Sequence, residues 1–363
     1  MSLSAARSAS NTRAELITLL EADLAEVSSF IARQSARAAI DVESRLRWFL
    51  LENPARQGGT LLGHGLRAPG GELVGCILCV PQNFRYGNQT FLLMGSSSFY
   101  VDEGFRGNGG LIFLKYSDLG RNLPLFGNSA NADAAQLWKA RGAIPIENTD
   151  HELFGVIRWT PIVEEVLARS LCLGRLARTA GGPISSVIGP FVPGRNNLDE
   201  SGTLTPLSSA EEAAKLTADD LPNVLTANRN REYLHWRYFS GRDSTSAVFS
   251  FHGRVSNHRV MVAVNQRPRG FREQIKTLNL LDIYPQVTPE TTAAIVGSLW
   301  RNYATGVDAI VLRGMNPERQ AYFQRLGFKR RKFEAPNGWL LDRYGHLPTR
   351  NGYFVPGDGD WLS

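Results

Sequence analysis

The sequence contains little cysteine: Cys76, Cys79 and Cys172 are the three in 363 residues. Because an odd number cannot form a complete set of disulfides, we expect a reducing compartment. Cys76 and Cys79 form a C-x-x-C inside "LVGCILCV", a pattern that indicates a buried strand. Residues three apart on a strand point to opposite faces, so we interpret both as core residues and not as a metal or redox pair.

Long apolar segments are also missing. The apolar runs are far shorter than the roughly 20 residues that span a bilayer, and "MSLSAARSASNTR" lacks the apolar core of a signal peptide. We therefore expect a cytoplasmic protein with no membrane insertion and a disordered stretch over residues 1–12. No spacing of histidine, cysteine and carboxylate residues is typical of a metal site, so no metal is expected.

Composition and charge exclude few further classes of protein. Apolar residues make up 43% of the chain and charged residues 20%, which is typical of a globular protein. The formal charge of +6 is mild for this length and argues against nucleic acid as a partner. Since single cores stop growing at about 250 to 300 residues, we expect two domains.

The segment "FYVDEGFRGNGGLIFLKY", which starts at Phe99, joins a strand-like start, a glycine-rich turn and an amphipathic run. Gly107, Gly109 and Gly110 let the backbone approach a ligand closely, and Arg106 adds a positive charge. If the turn opens a helix, its free N–H groups and the helix dipole suit a diphosphate. The alternative is an ordinary turn, which glycine clusters also mark.

Apolar periodicity predicts the elements around this turn. The segment "AELITLLEADLAEVSSFIARQS" is predicted to be one amphipathic helix, with apolar residues at helical spacing from Leu16, Leu19 and Leu20 to Leu24, Val27 and Ile31. An antiparallel meander is expected over "GTLLGHGL", "ELVGCILCVPQ" and "TFLLMGSSSFYV", followed by a helix over about 108–121. The strand "LPLFGNS", the helix "ADAAQLWKARG" and the strand "HELFGVIRW" are expected to close the first unit.

The second half of the chain repeats this order. Trp48 in "RLRWFLLENP" recurs as Trp236 in "YLHWRYFSG" (236 − 48 = 188), and "NADAAQLWKARGA" recurs as "NPERQAYFQRLGF" from Asn316. Gly142 and Gly327 end the two copies at a similar separation, which favours two units built on one plan. A segment rich in glycine, proline and serine predicts a linker over 178–210, with the boundary near residue 195. The expected domains are therefore 13–195 and 196–363.

These motifs resemble a known family. "FYVDEGFRGNGG" followed by a helix, a strand and "NSANADAAQLWKARGA" is similar to the acyl-CoA binding region of the GNAT superfamily of N-acetyltransferases. "YLHWRY" and the ending "PGDGDW" resemble tandem-GNAT proteins encoded among bacterial surface-polysaccharide genes. The resemblance implies a mixed α+β fold of two tandem GNAT-like domains, each a mostly antiparallel central sheet flanked by helices. It also implies acetyl-CoA or another acyl-CoA as co-substrate and a small-molecule amine, such as an amino-sugar precursor, as acceptor.

The resemblance assigns cofactor-binding residues in the first unit only. The family's diphosphate motif matches Arg106, Gly107, Asn108, Gly109 and Gly110, but Leu111 stands where the family has glycine or alanine. Its side chain is therefore expected to turn inward together with Leu114. The backbone of Phe99, Tyr100 and Val101 would pair with the pantetheine arm, and Asn131 matches the asparagine that opens the last helix region.

The sequence departs from the family at two points. The tyrosine that often protonates the leaving thiolate, seven residues after that asparagine, is Trp138 here and Phe323 in the second copy, and neither can donate an acidic proton. The second copy also lacks the glycine turn, and its Thr288 and Pro289 are typical of a capped helix start that needs no ligand. We expect the second unit to have lost CoA binding and to form one wall of a shared cleft.

Candidates for acid–base and acceptor-binding roles flank the thioester strand. Asp102 and Glu103 follow this strand and are candidate general bases, with a solvated, capping turn as the alternative. His235 is a third candidate base, with a hydrogen-bonded structural histidine as its alternative. Acceptor-binding candidates are Ser97, Tyr233, Arg237 and Asp282. The basic run over 329–332 is expected to be a solvated strand edge, or else to bind an anionic substrate.

The most direct hypothesis is an acyl-CoA-dependent N-acyltransferase. A non-catalytic binding or scaffolding protein and an enzyme that transfers an aminoacyl group from charged tRNA are the alternatives. The glycine turn argues against the tRNA enzyme, because a tRNA donor needs no diphosphate site. The acyl group, the acceptor and the oligomeric state are left open by the sequence.

Overall fold

The computed structural model describes residues 14–35, 39–59, 61–171, 202–218, 221, 223–241, 245–253, 259–270, 274–285, 287–303, 305–314, 317–348 and 352–355. The stretch 1–12, Cys172, the boundary near residue 195, Asn316 and the "PGDGDW" ending lie outside these residues.

A first sheet is built around the strand that leads into the glycine-rich segment. In hydrogen-bonding order its strands are β1 (Glu15–Leu19), β2 (Gly63–Arg67), β3 (Leu73–Tyr86), β4 (Gln89–Val101), β5 (Leu125–Gly127), β15 (Trp339–Leu341) and β6 (Ile144–Pro145). β9 (Leu225–Ala227) joins β3, and β16 (Gly352–Tyr353) joins β9. Along the main path the pairing is antiparallel except between β4 and β5.

The second sheet has the same kind of order. Its strands are β14 (Lys329–Lys332), β7 (His151–Val156), β13 (Ala309–Arg313), β12 (Ile275–Tyr284), β11 (Arg259–Arg269), β10 (Ser246–Gly253) and β8 (Gly202–Pro206). β12 and β13 are its parallel pair, as β4 and β5 are in the first sheet. The second sheet therefore repeats the plan of the first.

Helices flank both sheets. They are α1 (Leu24–Ser35), α2 (Ala39–Leu46), α3 (Gly109–Asp118), α4 (Ala132–Ala140), α5 (Thr160–Leu171), α6 (Ala210–Leu216), α7 (Arg231–Leu234), α8 (Pro289–Tyr303) and α9 (Pro317–Arg325). A π-helical turn continues α2 over Arg47–Leu51, and another continues α7 over His235–Phe239. The fold class expected from the sequence is thus confirmed: mixed α+β, with two mostly antiparallel sheets flanked by helices.

Two equivalent strands exchange places between the sheets. β7, predicted to close the first unit, lies instead between β13 and β14 of the second sheet. β15 comes from the second half of the chain and lies between β5 and β6 of the first sheet. The two strands begin 188 residues apart (339 − 151 = 188), close to the separation of the repeat. β7 lies antiparallel to β13 as β15 lies antiparallel to β5, so each unit receives the corresponding strand of the other. Whether a domain boundary lies near residue 195 stays a prediction, but the two sheets do not divide there.

One other predicted element is wrong. Glu15–Leu19 is a strand paired with β2 and not the start of the predicted helix, which begins only at Leu24. Consequently Leu16 and Leu20 are 39% and 52% exposed. The end of the segment predicted as a linker contains a strand, Gly202–Pro206, which pairs with β10.

The core lies on both faces of the first sheet. One cluster of buried residues lies between the first sheet and α1, and it continues through both π-helical turns into the second sheet. A second cluster lies on the other face of the first sheet, under α3 and α4. Cys76 belongs to the first cluster and Cys79 to the second, and both are buried free thiols, as predicted. Burial raises the pKa of both, that of Cys76 to about 12. No helix in the described ranges is long and apolar enough to cross a bilayer.

Candidate functional site

β4 and β5 separate soon after they meet, and we call the opening between them the fork. They pair as Met94 with Leu125 and Gly95 with Phe126. β4 continues to Val101, six residues beyond the last of these pairs, whereas β5 ends at Gly127. In the part of the chain that the structure describes, no strand pairs with this edge of β4 beyond Gly95. A main-chain edge of this kind can bind an extended ligand by strand-like hydrogen bonds.

A β-bulge at Ser98 changes which side chains line the fork. Opposite β3, Cys76 pairs with Tyr100 and Leu78 with Ser97, so two residues of β4 face one of β3. Ser98 has a φ of 50°, which is uncommon for a residue other than glycine. Before the bulge Met94 packs in the cluster under α3, and after it Phe99 does. The bulge therefore shifts the alternation by one residue along the last part of β4.

The glycine-rich segment follows β4 directly, as predicted, but it is a helical turn and not an open loop. Residues Glu103–Asn108 form a 3-10 helix that runs into α3, and the N–H of Gly109 donates to the Arg106 carbonyl. A Cβ at Gly107 or Gly110 would meet no atom within 4 Å, and neither glycine has a positive φ. Neither packing nor backbone strain requires glycine there. The free space beside both residues suits the close approach of a ligand.

Gly109 differs from its neighbours. A Cβ at this position would lie 3.4 Å from Val101 Cγ2 and 3.7 Å from Phe99 Cζ, against the end of β4. Gly109 thus seats α3 on the strand, whereas Gly107 and Gly110 face outward. Arg106 is exposed beside them. Arg106 and the open space beside Gly107 and Gly110 can together accommodate a diphosphate.

The expectation that Leu111 turns inward is wrong. Leu111 and Leu114 are 46% and 43% exposed. The buried face of α3 is made by Ile112, Phe113 and Tyr116, which are at most 2% exposed. Leu111 and Leu114 lie on the opposite side of the helix, three residues apart.

Trp138 lies at the buried end of the fork, next to Gly127 at the end of β5. Its ring packs edge-on against Phe113 and Tyr116, with centroids 5.2 and 5.9 Å apart, and it is 1% exposed. A Cβ on Gly127 would lie 3.0 Å from both Trp138 Cζ2 and Ser96 Oγ, so a larger residue would displace one of these side chains by a few tenths of an ångström. Asn131 caps α4 by accepting a hydrogen bond from the Ala134 N–H at 2.9 Å.

Tyr116 also lies at the fork, although the sequence did not indicate it as a site residue. Its hydroxyl donates to the Met94 carbonyl at 2.8 Å, at the point where β4 and β5 part. Burial raises the pKa of this phenol well above its ordinary value. The helical spacing of Tyr116 from Ile112 and Phe113 predicts burial, but no local pattern reveals that the hydroxyl reaches the fork.

Asp102 and Glu103 stand at the far end of the fork. Asp102 accepts a hydrogen bond from Gln34 Nε2 of α1 at 2.6 Å, and its carbonyl accepts from the Phe105 N–H. Glu103 is exposed at the start of the 3-10 helix. Ser97 is 3% exposed and lies 3.3 Å from the Ser98 hydroxyl. The two hydrogen bonds of Asp102 thus hold the turn between β4 and the 3-10 helix.

The candidates Tyr233, His235 and Arg237 lie on α7 and on the π-helical turn that continues it. Tyr233 and Arg237 are buried, whereas His235 is exposed at a pocket of about 410 Å³ that Trp48 and Trp236 also line. The Arg237 guanidinium lies 5.7 to 5.9 Å from the rings of Trp236, Trp48 and Phe49. Among the described contacts, these residues pack around the tryptophan pair and not against the fork.

Asp282 is fully buried in the second sheet. Its carboxylate accepts from Arg229 Nε at 2.6 Å and from the Tyr353 hydroxyl at 3.3 Å. Arg229 also donates to the Thr226 hydroxyl and the Ala227 carbonyl, so the cluster is well hydrogen-bonded. An acceptor would have to open this cluster to reach Asp282.

Comparison with known proteins finds likeness in structure alone. No model of a known protein family matches the chain, and no curated protein matches it in sequence. It is similar to a probable N-acyltransferase from Enterococcus faecalis V583 (TM-score 0.56, 9% identity, 91% of this chain and 73% of that one). It is also similar to a GCN5-related N-acetyltransferase from Anabaena variabilis (0.52, 11%, 90% and 72%). A third similar structure is Saccharomyces cerevisiae N-myristoyltransferase with bound myristoyl-CoA (0.52, 11%, 94% and 83%). At these identities the likeness shows that the chain shares the fold of these acyltransferases.

Proposed function

We propose that this protein is an acyl-CoA-dependent N-acyltransferase that acylates an amino group of a small molecule. The observation that carries the proposal is the fork, whose unpaired β4 edge ends at a helical segment with two outward-facing glycines. The shared fold of known acyltransferases supports the same conclusion. By resemblance, the acceptor is an amino-sugar precursor of a bacterial surface polysaccharide and the site of action is the cytoplasm.

Each part of the fork has a role in this proposal. The backbone of Phe99, Tyr100 and Val101 pairs with the pantetheine arm, while Arg106 and the segment with Gly107 and Gly110 hold the diphosphate. Acyl-CoA supplies an acyl thioester. The acceptor nitrogen bonds to its carbonyl carbon, the C–S bond breaks, and the amine proton passes to a base. Of the three candidates for that base, Asp102 and Glu103 stand at the end of the fork, whereas His235 lies at the pocket of the tryptophan pair.

The second unit has the same kind of fork, because β12 runs four residues beyond its last pair with β13. There, however, Arg319 and Tyr353 donate hydrogen bonds to the Ile283 carbonyl, and the described residues after the strand hold no glycine segment. Where the first has the glycine segment, α8 begins with Pro289 after Thr288, whose hydroxyl accepts from the Thr291 N–H at 3.2 Å. This capped start needs no anion. We therefore propose one acyl-CoA per chain, in the first unit.

Calorimetric titration of the full chain with acetyl-CoA, longer acyl-CoAs and free CoA tests the proposal. We expect saturable binding with a stoichiometry near one, followed by acyl transfer to an amine. Binding without transfer to any amine of a broad panel would favour the non-catalytic protein. No binding of any CoA, together with transfer from charged tRNA, would favour the aminoacyl transferase.

A further inference from the structure

A small pocket lies beside the fork, at the carboxyl ends of β5 and β13. It encloses about 70 Å³ and is lined from both halves of the chain. Asn128 and Ser129 directly follow β5, so the pocket adjoins the fork. Arg313 and Gly314 end β13, and His151 begins the exchanged strand β7. The strand exchange thus brings the second unit to the first unit's site.

Three arginines surround one carboxylate at this pocket. Glu152, next to His151, is fully buried and accepts from Arg269 Nη1, Arg313 Nε and Arg331 Nε, each at 2.9 Å. Burial alone would raise the pKa of this carboxyl, but the neighbouring arginines hold it below its ordinary value. One negative charge therefore faces three positive charges, and the cluster retains an excess of two.

Arg313 is the member of this cluster that lines the pocket. Its side chain is 42% exposed, it lines the pocket, and its guanidinium lies 5.4 Å from the Phe333 ring centroid. Arg269 and Arg331 do not line the pocket. A guanidinium fixed by a carboxylate and an aromatic ring is oriented in advance for a carboxylate or phosphate.

We propose that this pocket binds an anionic group of the acceptor, with Arg313 as the residue that recognises it. The proposal rests on the proposed function, in which the acceptor amine must reach the fork. The pocket volume corresponds to about five to seven waters at roughly 10 to 15 Å³ each, which is room for one carboxylate or phosphate group and not for a whole substrate. The remainder of the acceptor, with its amine, extends toward Asn128 and the fork. The substrate class is therefore an amine that bears a carboxylate or a phosphate.

Two NMR titrations of the full chain test the proposal. Inorganic phosphate is followed by ³¹P NMR and acetate by saturation transfer, so that the two arms distinguish phosphate from carboxylate. We expect saturable binding of at least one anion, weakened at least tenfold in Arg313→Gln. Glu152 keeps Arg269 and Arg331 in this variant, so the fold should persist, which circular dichroism checks. Arg313→Lys, which keeps the charge but loses the planar fork of donors, should bind with intermediate affinity.

Two controls locate the bound anion. Lys215→Gln removes the same charge from an exposed residue of α6 outside the pocket and should leave the affinity unchanged. Arg106→Gln detects an anion held at the glycine segment instead. Absence of saturable binding of both anions to the wild type, or loss of binding in Arg106→Gln but not in Arg313→Gln, would overturn the proposal. Acetyl-CoA titration of the same samples tests the proposed function separately, since CoA binding with no Arg313-dependent anion site defeats only this inference.

Discussion

Trp48 and Trp236 each donate an indole N–H to the other's backbone carbonyl, at 2.7 and 2.9 Å. Their rings lie 5.5 Å apart, and each residue sits in a π-helical turn. The two residues are equivalent positions of the repeat, so the contact is reciprocal in the way that the contact across a two-fold dimer axis is. The two copies of the repeat therefore contact each other at the same tryptophan motif, Trp48 in one copy and Trp236 in the other.

Removing either indole N–H should destabilise the fold by about 1 to 2 kcal/mol, since a buried carbonyl loses its donor. Trp48→Phe and Trp236→Phe, measured by urea unfolding, should each show this loss. Because the two bonds join the same residues, the double variant should depart from additivity by at least about 0.5 kcal/mol. Trp339→Phe removes an indole bond to Pro336 in a separate turn and should combine additively with Trp48→Phe. Strict additivity in both pairs would contradict the coupling.

Bulky residues at the outward glycines should weaken acyl-CoA binding. Gly107→Val and Gly110→Val place a side chain in the open space beside the segment, and we expect at least a tenfold loss of affinity, or about 1.4 kcal/mol. Gly109→Val should weaken binding as well, but by displacing α3 from Val101 rather than by meeting the ligand. Gly58→Val, also in open space but far along the chain, is the matched control. Unchanged affinity in folded Gly107 and Gly110 variants would remove the diphosphate role of this segment.

The first half of the chain, residues 1–195, should fold poorly when expressed alone and bind CoA weakly. Without β15 the edge of β5 is left unpaired, and β7 has lost both of its neighbours. Co-expression with residues 196–363 should restore a folded complex, as followed by co-purification and circular dichroism. An isolated fragment with full stability and full transferase activity would be incompatible with the shared site.

The departing thiolate should not need a proton from the side chains buried beside the fork, Trp138 and Tyr116. Thiols have a pKa near 8.5, so the thiolate is a fair leaving group, and the raised pKa of Tyr116 makes its phenol a poor donor. We expect Trp138→Phe and Tyr116→Phe to keep much of the turnover while losing stability. A hundredfold loss of turnover in folded Tyr116→Phe would show that this hydroxyl supplies the proton.

Loss of the general base should instead lower the turnover by on the order of a hundredfold. Asp102→Asn, Glu103→Gln and His235→Ala test the three candidates, and the pH profile of the wild type should rise through an apparent pKa that the responsible variant lacks. If all three variants keep wild-type rates and profiles, no candidate survives, and water or the acceptor itself takes the proton.

His64 should make the fold sensitive to mild acid. Burial, with Lys115 nearby, lowers its pKa from 6.5 to about 4, and both ring nitrogens lack a hydrogen-bond partner among the residues described. Below about pH 6.5 the His64 ring is protonated in the unfolded chain but stays neutral in the folded chain. The free energy of unfolding that is present above pH 6.5 therefore decreases as the pH falls toward 4. The loss is about 3 kcal/mol at most. His64→Leu, compared with wild type by urea unfolding between pH 7.5 and 4.5, should remove this part of the decline. Parallel declines in both proteins would exclude His64 as its source.

Some features were predictable because local chemistry determines them. The meander, the helix after Gly109 and the buried cysteines follow from alternation, spacing and composition. The strand exchange could not be predicted, since β7 and β15 take equivalent places in the two sheets and the arginines that pair with Glu152 of β7 come from segments far along the chain. The same holds for Glu15–Leu19, where pairing with β2 overrides a helical spacing. The fork, the Ser98 bulge and the arginines around Glu152 depend on pairings between distant segments.

The exchanged strands also bear on how the chain reaches this structure during synthesis. The first sheet lacks the strand between β5 and β6 until the ribosome has added residue 341, so the first half cannot complete its fold as it emerges. β7 must meanwhile wait for β13 and β14 with its hydrogen-bonding edges unpaired. Completion of both sheets therefore requires the second half of the chain, and until then the nascent chain has exposed strand edges of the kind that favour aggregation.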